Sequence, residues 1–378
     1  MILHITNDYA GSTVYKNLIY NLDNKGVKQI VYTPIKSEKS IGKNKVPLKQ
    51  NESKIIYRNI LNKHTDRVLF PLKINKIFKD IQNQVDFTTI NLIHAHTWFS
   101  DGAVALKLHK KYKTPYVIAV RGTDLNQFWR LPYLKKTGIE ILKNASKIVF
   151  ITPKYRERFL DIEKIKNSGK SIALKPIVIP NGLDSYWLKN VKKRKTTLNR
   201  PINLLYIGVF STTKNVQRLL KAIDYLNNSG ILCTLTLVGG GGNQTKKVMD
   251  HIADKMYITF LGKIYNKRAL SKLFQQTDIF VMPSLQETFG LVYGEALSQG
   301  LPILYSKNEG IDGVFNESIG VAVNPKSVES IADGLKEIIM NYDRFDFKPE
   351  HIVKKLDWKI IAKNYIDIYK ETKYIKEY

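Results

Sequence analysis

Cysteine is almost missing from this chain. Cys233 is the single one in 378 residues, and it sits inside the apolar run ILCTLTLV. No disulfide framework can form, which fits a reducing compartment. Long hydrophobic runs are missing too: none reaches the roughly 18 uninterrupted apolar residues of a membrane-spanning helix. The opening MILHITNDYA has no basic flank followed by a long apolar stretch, so a signal peptide is not expected. Acids are scarce beside bases, 33 against 60, giving a net charge of +27. Residues 1–190 hold 33 Lys+Arg against 14 Asp+Glu, a net +19, and the remainder holds +8. A field of this sign favours a lipid surface, a phosphate-linked substrate or nucleic acid. The bland alternative is composition bias, since Lys, Asn and Ile are abundant throughout. The basic residues lack the aromatic interleaving of an RNA-binding motif, so no nucleic-acid partner is expected. No Asp-X-Asp motif occurs, and no catalytic divalent metal is expected.

What the chain does contain is alternation. Short β-branched runs at 2–6, 29–35, 92–96, 116–120, 147–152 and 177–180 read as strands. A second series follows at 203–208, 235–239, 257–262, 278–283 and 302–306. Amphipathic segments such as VQRLLKAIDYL (216–226), RALSKLF (268–274) and VESIADGLKEIIMNY (328–342) lie between them. Such alternation predicts α/β architecture with parallel sheets and right-handed crossovers. The strand count and the length both point to two Rossmann-like domains. The boundary falls in the polar, basic segment 185–201, which ends in Pro201. Residues 36–68 read as a polar, Lys-rich surface excursion. The segment 358–374 reads as a helix with Ile361, Tyr365, Ile368 and Tyr369 on one stripe.

The stretch PSLQETFGLVYGEALSQG (283–300) carries the most chemistry. A strand ends at Pro283, and a helix starts near Gly290 and runs to Gly300. The turn therefore lies at the carboxyl end of a parallel strand, where open α/β sheets bind ligands. The amides of Phe289, Gly290 and Leu291 would head the helix, a natural seat for phosphate. Gly290 admits a ligand close to the backbone. Glu287 and Glu295 flank that seat, and an ionised carboxylate accepts two sugar hydroxyls at once.

This stretch resembles the signature of the retaining, nucleotide-sugar-dependent glycosyltransferases of family 4, a Glu, seven residues and a second Glu in a GT-B fold. The resemblance implies two Rossmann-like domains facing each other across a cleft that closes by rotation, with a C-terminal helix crossing back onto the first. Residues 1–185, with 360–378 packing back, would bind the acceptor, and 186–359 the nucleotide sugar. Glu287 would hold donor-sugar hydroxyls beside Thr288, and Glu295 the ribose hydroxyls. YIGVFSTTKNVQRLLKAI (206–223) is similar to the family's strand-turn-helix, with Gly208 at the turn and Lys214 on the diphosphate. A solvated turn lysine is the rival reading of Lys214. The family's Arg is replaced by Val209, and Lys263 or Arg121 is a candidate substitute for its charge. LTLVGGGGNQ (235–244), with Gly239, matches the family's glycine turn or is a plain flexible loop. The backbone of Lys263 and Ile264 would grip the base.

In the first half, NDYAGSTVYKNLI (7–19) opens a helix, and Gly11 either admits a ligand or is a simple entry turn capped by Ser12. In LIHAHTWFSDGAVA (92–105), His94 and His96 share one strand face. A metal site would need further ligands that the sequence does not locate. His96 is either packed or near the acceptor. VIAVRGTDLNQFWR (117–130) has Arg121 where family members commonly carry His. Arginine cannot act as a base near neutral pH but pairs with phosphate in a bidentate fork.

The resulting expectation is a metal-independent hexosyltransferase without a cofactor, using a nucleotide sugar as co-substrate, UDP-sugar favoured. The residues themselves do not choose among UDP, GDP and ADP. The acceptor expected is a lipid-linked or cell-surface polysaccharide intermediate, as in capsule, lipopolysaccharide or teichoic-acid assembly. The enzyme would be cytoplasmic and peripheral on the inner face of the membrane, with LKLHKKYK (106–113) resting on anionic lipid. A soluble acceptor, and an epimerase acting on the nucleotide sugar itself, stay open.

Overall fold

The computed structural model describes residues 1–62, 65–66 and 69–374. Its contacts divide the chain into two compact units. The first comprises 1–151, 155–182 and the chain from Trp358 onward; the second comprises 152–154 and 183–357.

The first unit is built on seven parallel strands. They are β1 (Ile2–Ile5), β2 (Gln29–Ile35), β3 (Lys54–Asn59), β4 (Leu92–Ala95), β5 (Tyr116–Ala119), β6 (Lys147–Phe150) and β7 (Pro176–Val178), in the order β3-β2-β1-β4-β5-β6-β7. Strands β1, β2, β4 and β5 are buried at every residue, as a parallel sheet covered on both faces requires. One face is closed by the helices Thr13–Asn24 and Trp358–Tyr374. Leu18 and Leu22 of the former join Ile361, Tyr365, Ile368 and Tyr369 of the latter in one apolar cluster. The stripe read from the sequence is thus the packing face of the last helix.

Two strands escape the sequence reading. The excursion at 36–68 contains β3, which pairs with β2 at the sheet edge and is half exposed. Its Lys54 and Arg58 hide the central Ile55-Ile56-Tyr57. Arg58 is spoken for: its guanidinium forks onto Asp80, Nη2 to Oδ1 2.8 Å, and the Tyr32 hydroxyl donates to the same carboxylate at 2.6 Å.

The second unit has six parallel strands. They are β8 (Ile202–Gly208), β9 (Cys233–Gly239), β10 (Ile258–Phe260), β11 (Ile279–Val281), β12 (Ile303–Ser306) and β13 (Gly320–Val323), in the order β10-β9-β8-β11-β12-β13. The second missed strand is β13, four small residues at the sheet edge. In each sheet the order reverses between the first strand and a later neighbour, β1 beside β4 and β8 beside β11. Those reversals open a crevice at the strand carboxyl ends, where the loops that matter converge.

Candidate active site

In the second unit, the loops after β8, β11 and β13 are stapled together. The Asn215 side chain donates to the carbonyls of Pro283 (2.8 Å) and Pro325 (2.6 Å). The amide of Leu285 donates to Thr213 O at 2.8 Å. Asn215 itself is left-handed at φ 59°, a conformation Asn tolerates, and caps the helix Val216–Asn228. This turn sets Lys214 against the 284–290 loop, and Lys214 Nζ forms an ion pair with Glu287 Oε2. The side chains keep 26% and 12% of their exposure, so the pair faces a partly dry site that remains open to a ligand.

Glu287 is also held through its backbone. Its amide donates to Glu309 Oε2 at 2.9 Å, and its carbonyl accepts from the Gly310 amide at 2.6 Å. Gly310 is left-handed at φ 56°, and a Cβ there would lie 2.9 Å from Glu287 Cγ and 3.2 Å from Phe289 O. Neither Glu309 nor Gly310 was singled out from the sequence. The signal was present in KNEGIDG, a turn-rich stretch at the carboxyl end of a strand.

The helix Leu291–Ser298 starts where the sequence places it, with Gly290 at the cap and φ 75°. A side chain at Gly290 would meet the Tyr293 ring at 2.6 Å. The Phe289 ring is buried, so only its backbone faces the site. Thr288 is half-buried beside it. The first amides of a helix have no partner in the helix itself and carry its positive dipole end. Glu295, in the second turn, is a protonatable group near neutrality. Burial pushes its carboxyl up to about 7, against a hydrogen bond with Trp187 and the nearby Lys267 ammonium, while Asp184 raises it further.

The glycine turn is not a slack loop. Gly239, Gly240, Gly241 and Gly242 all have positive φ, from 72° to 126°. A Cβ at Gly239 would fall 1.9 Å from Gly208 O, and one at Gly242 2.8 Å from Phe210 O. Gly208 pairs with Gly239 in the β8–β9 register, and the close approach of the two backbones leaves no room for a side chain at 239, while one at 208 would meet the Tyr206 hydroxyl at 2.9 Å. Val209 is half exposed at this turn, and Lys263 Nζ comes to 3.5 Å from the Cβ position of Gly241. Lys263 is exposed and Ile264 half-buried in the loop after β10.

In the first unit, Gly11 is explained locally. A Cβ there would collide with Asp8 Oδ1 at 2.2 Å, and Ser12 caps the helix through Val14 N at 3.4 Å. Arg121 donates from Nε to His96 O at 3.2 Å, lies over the Tyr15 ring at 5.8 Å and reaches the Tyr365 phenol. It is half-buried and tied to the last helix. The turn behind it is fixed by Asp124, which accepts from the amides of Arg121, Trp98 and Phe99. Burial still pushes the Asp124 carboxyl up to about 6.

His96 is fully buried, against His4, His94 and Tyr15. His4 is the register partner of His94 across β1 and β4, and it supplies the third imidazole that the sequence did not locate. Three ring nitrogens, one from each residue, lie within 4.8 Å of one another. The rings of His94 and His96 stack at 4.0 Å and 28°, which runs their in-plane lone pairs side by side rather than toward one point. His4 Nδ1 and His96 Nε2 share a hydrogen bond at 3.0 Å, and His94 Nδ1 takes the Tyr369 hydroxyl at 2.7 Å. Burial holds all three rings neutral, His4 down to about 3. This arrangement is a stacked, hydrogen-bonded array under the last helix.

Two parallel α/β units of seven and six strands have the GT-B fold, with a helix N-terminus and a Lys–Glu pair at the switch point of the second. The family comparisons agree for both halves. The model of Glycosyltransferase Family 4 matches residues 11–186, and that of Glycosyl transferases group 1 matches 189–354. The chain belongs to the family 4 glycosyltransferases. It is 24% identical over 257 residues to a putative teichuronic acid biosynthesis glycosyltransferase, TuaC of Bacillus subtilis, covering 65% of this chain and 60% of that one. Among solved structures, sucrose-phosphate synthase from Thermosynechococcus elongatus superposes with a TM-score of 0.73 at 19% identity, over 98% of both chains. Anabaena Alr3699/HepE, in complex with UDP and glucose, superposes with a TM-score of 0.65 at 15% identity, over 97% of this chain and 98% of that one.

Proposed function

We propose that this enzyme transfers a hexose, with retention of configuration, from a UDP-sugar to a hydroxyl of a lipid-linked polysaccharide intermediate. The observation that carries the reading is the Lys214–Glu287 pair beside the start of the helix Leu291–Ser298. In this reading the donor diphosphate sits on the amides of Phe289, Gly290 and Leu291 and takes over the Lys214 ammonium. Glu287 is thereby released to accept hydroxyls of the donor sugar. Glu295 accepts the ribose hydroxyls, the glycine turn admits the nucleotide, and the backbone at Lys263 and Ile264 meets the base. The UDP assignment is supported by the fold shared with Alr3699/HepE, whose structure holds UDP and glucose.

The acceptor oxygen forms the new bond to the anomeric carbon as the bond from that carbon to the diphosphate oxygen breaks. The acceptor proton passes to the departing phosphate oxygen. Positive charge for the leaving group comes from Lys214 and the helix amides, so the reading includes no divalent metal. The first unit holds the acceptor, with Arg121 as fixed positive charge near it. The relative in teichuronic acid biosynthesis and the +19 charge of residues 1–190 support an anionic, lipid-linked acceptor at the inner face of the cell membrane.

The test is a thermal-shift screen of nucleotide sugars, followed by mass spectrometry of products formed with lipid-linked diphosphate acceptors. Stabilisation by a UDP-sugar and a product heavier by one hexose are expected. An altered sugar nucleotide released without acceptor would replace transfer with epimerisation.

A further inference from the structure

We propose that the face of the first unit formed by the start of the helix Phe70–Gln84 and the segment 130–136 docks on an anionic bilayer. This inference rests on the lipid-linked acceptor of the proposed function and names the surface that would serve it.

The helix Phe70–Gln84 buries Phe70, Ile74, Ile77 and Ile81. Leu69, Leu72, Lys76 and Lys79 lie three to four residues apart on the opposite stripe, facing out. Leu69 is 45% exposed and Leu72 60%. Across a groove of about 370 Å³, lined by Phe70, Pro71, Leu106 and Lys107, stands Tyr133, 58% exposed, with Leu131 exposed beside it. These large apolar side chains keep much of their surface exposed at the start of the helix and in the segment beside the groove. Exposed Lys76, Lys79, Arg130 and Lys136 lie on the same two segments, while Lys110, at the groove, is paired with Glu140. Apolar tips accompanied by basic side chains match the chemistry of acyl chains beneath anionic headgroups.

The segment 106–113 contributes charge only. It belongs to the helix Ser100–Tyr112, whose Leu106 and Leu108 face the core, leaving Lys110, Lys111 and Lys113 exposed. The apolar half of the membrane signal comes instead from Leu69, Leu72, Leu131 and Tyr133, two segments far apart in the chain.

A second observation points the same way. A pocket of about 450 Å³, lined by Lys36, Asn62, Asp66, Lys73, Gln127 and Phe128, shares Phe70 with the groove. Lys73 Nζ donates to Ser100 Oγ at 3.1 Å, and burial lowers its affinity for a proton. A phosphate presented from a docked membrane would meet Lys36 and Lys73 a few residues from the inserted tips.

The experiment is flotation of the full chain with vesicles of phosphatidylglycerol and phosphatidylcholine (1:1), and with phosphatidylcholine alone. The double variant Leu72→Glu/Tyr133→Glu is compared with Leu232→Glu/Met340→Glu, positions in the second unit that are more exposed still. Binding to the anionic vesicles only, falling at least tenfold in Leu72→Glu/Tyr133→Glu and unchanged in the control, is expected. Equal binding by both variants, or none by the wild type, overturns the docking face. UDP-sugar hydrolysis without acceptor is measured on the same samples. Loss of vesicle binding with hydrolysis intact concerns this face alone, whereas a wild type that binds vesicles but neither binds nor hydrolyses any UDP-sugar defeats the proposed function and leaves the face standing.

Discussion

Lys214 and Glu287, 73 residues apart in sequence, are joined Nζ to Oε2 at the carboxyl ends of β8 and β11. The pair holds two opposite charges where a leaving diphosphate and a sugar would need them. Without donor each charge offsets the other's desolvation.

Lys214→Ala removes the cation offered to the leaving group. Loss of one such charge-stabilising contact in a partly dry site costs about 10²–10³ in kcat. UDP-sugar turnover is expected to fall by that factor, with weaker UDP binding by calorimetry. Turnover within threefold of wild type would make Lys214 a solvated turn residue.

Glu295 gives the reading a pH signature. Its carboxyl is pushed up to about 7 mainly by burial. The ionised form is the better acceptor of ribose hydroxyls, so UDP affinity is expected to fall as pH drops from 8 to 6. The loss is at most tenfold per pH unit below 7. In Glu295→Gln, affinity is lower at pH 8 and flat across the range. The same slope in wild type and variant would assign the titration to another group.

Gly310 positions Glu287 through its backbone amide. Gly310→Ala places a methyl 2.9 Å from Glu287 Cγ on a left-handed backbone, a strain of roughly 1–3 kcal/mol. A drop in Tm of several degrees and at least a tenfold fall in kcat are expected, since Glu287 must shift. Tm reduced with kcat untouched would separate the 307–313 loop from the chemistry.

The histidine array predicts acid sensitivity. Its three imidazoles have lowered proton affinity in the folded state, by burial first. Below pH 6.5 the unfolded chain therefore binds protons that the folded one does not. Stability is full above that pH and declines below it, by up to about 1.4 kcal/mol per pH unit for each histidine. Urea unfolding of wild type and His4→Asn between pH 7 and 5 reads this, and the variant's slope is expected to be shallower. Equal slopes would show that the array does not set the acid limit.

Much of the candidate site was legible because it follows strand ends. The start of the helix Leu291–Ser298, the turn at Lys214 and the stripe of the last helix all carry local signals: a glycine, a strand-turn-helix pattern, a 3.6-residue period. What was not legible depends on tertiary pairing. β3 hides behind Lys54 and Arg58, whose charge is tolerable only because Asp80 meets the guanidinium from another element. His4 joins His94 only through strand register. Glu309 reaches Glu287 across a loop 22 residues away. The sequence also could not say that Arg121 is tied to His96 O and Tyr365, contacts made by folding rather than by neighbours in the chain.

The most direct measurement is a crystal structure of the protein with a UDP-sugar. The account predicts the diphosphate on the Phe289–Leu291 amides, with Lys214 turned from Glu287 to a phosphate oxygen and Glu287 on the sugar hydroxyls. Nucleotide density at another place in the second unit, with the Lys214–Glu287 pair still closed, would contradict it.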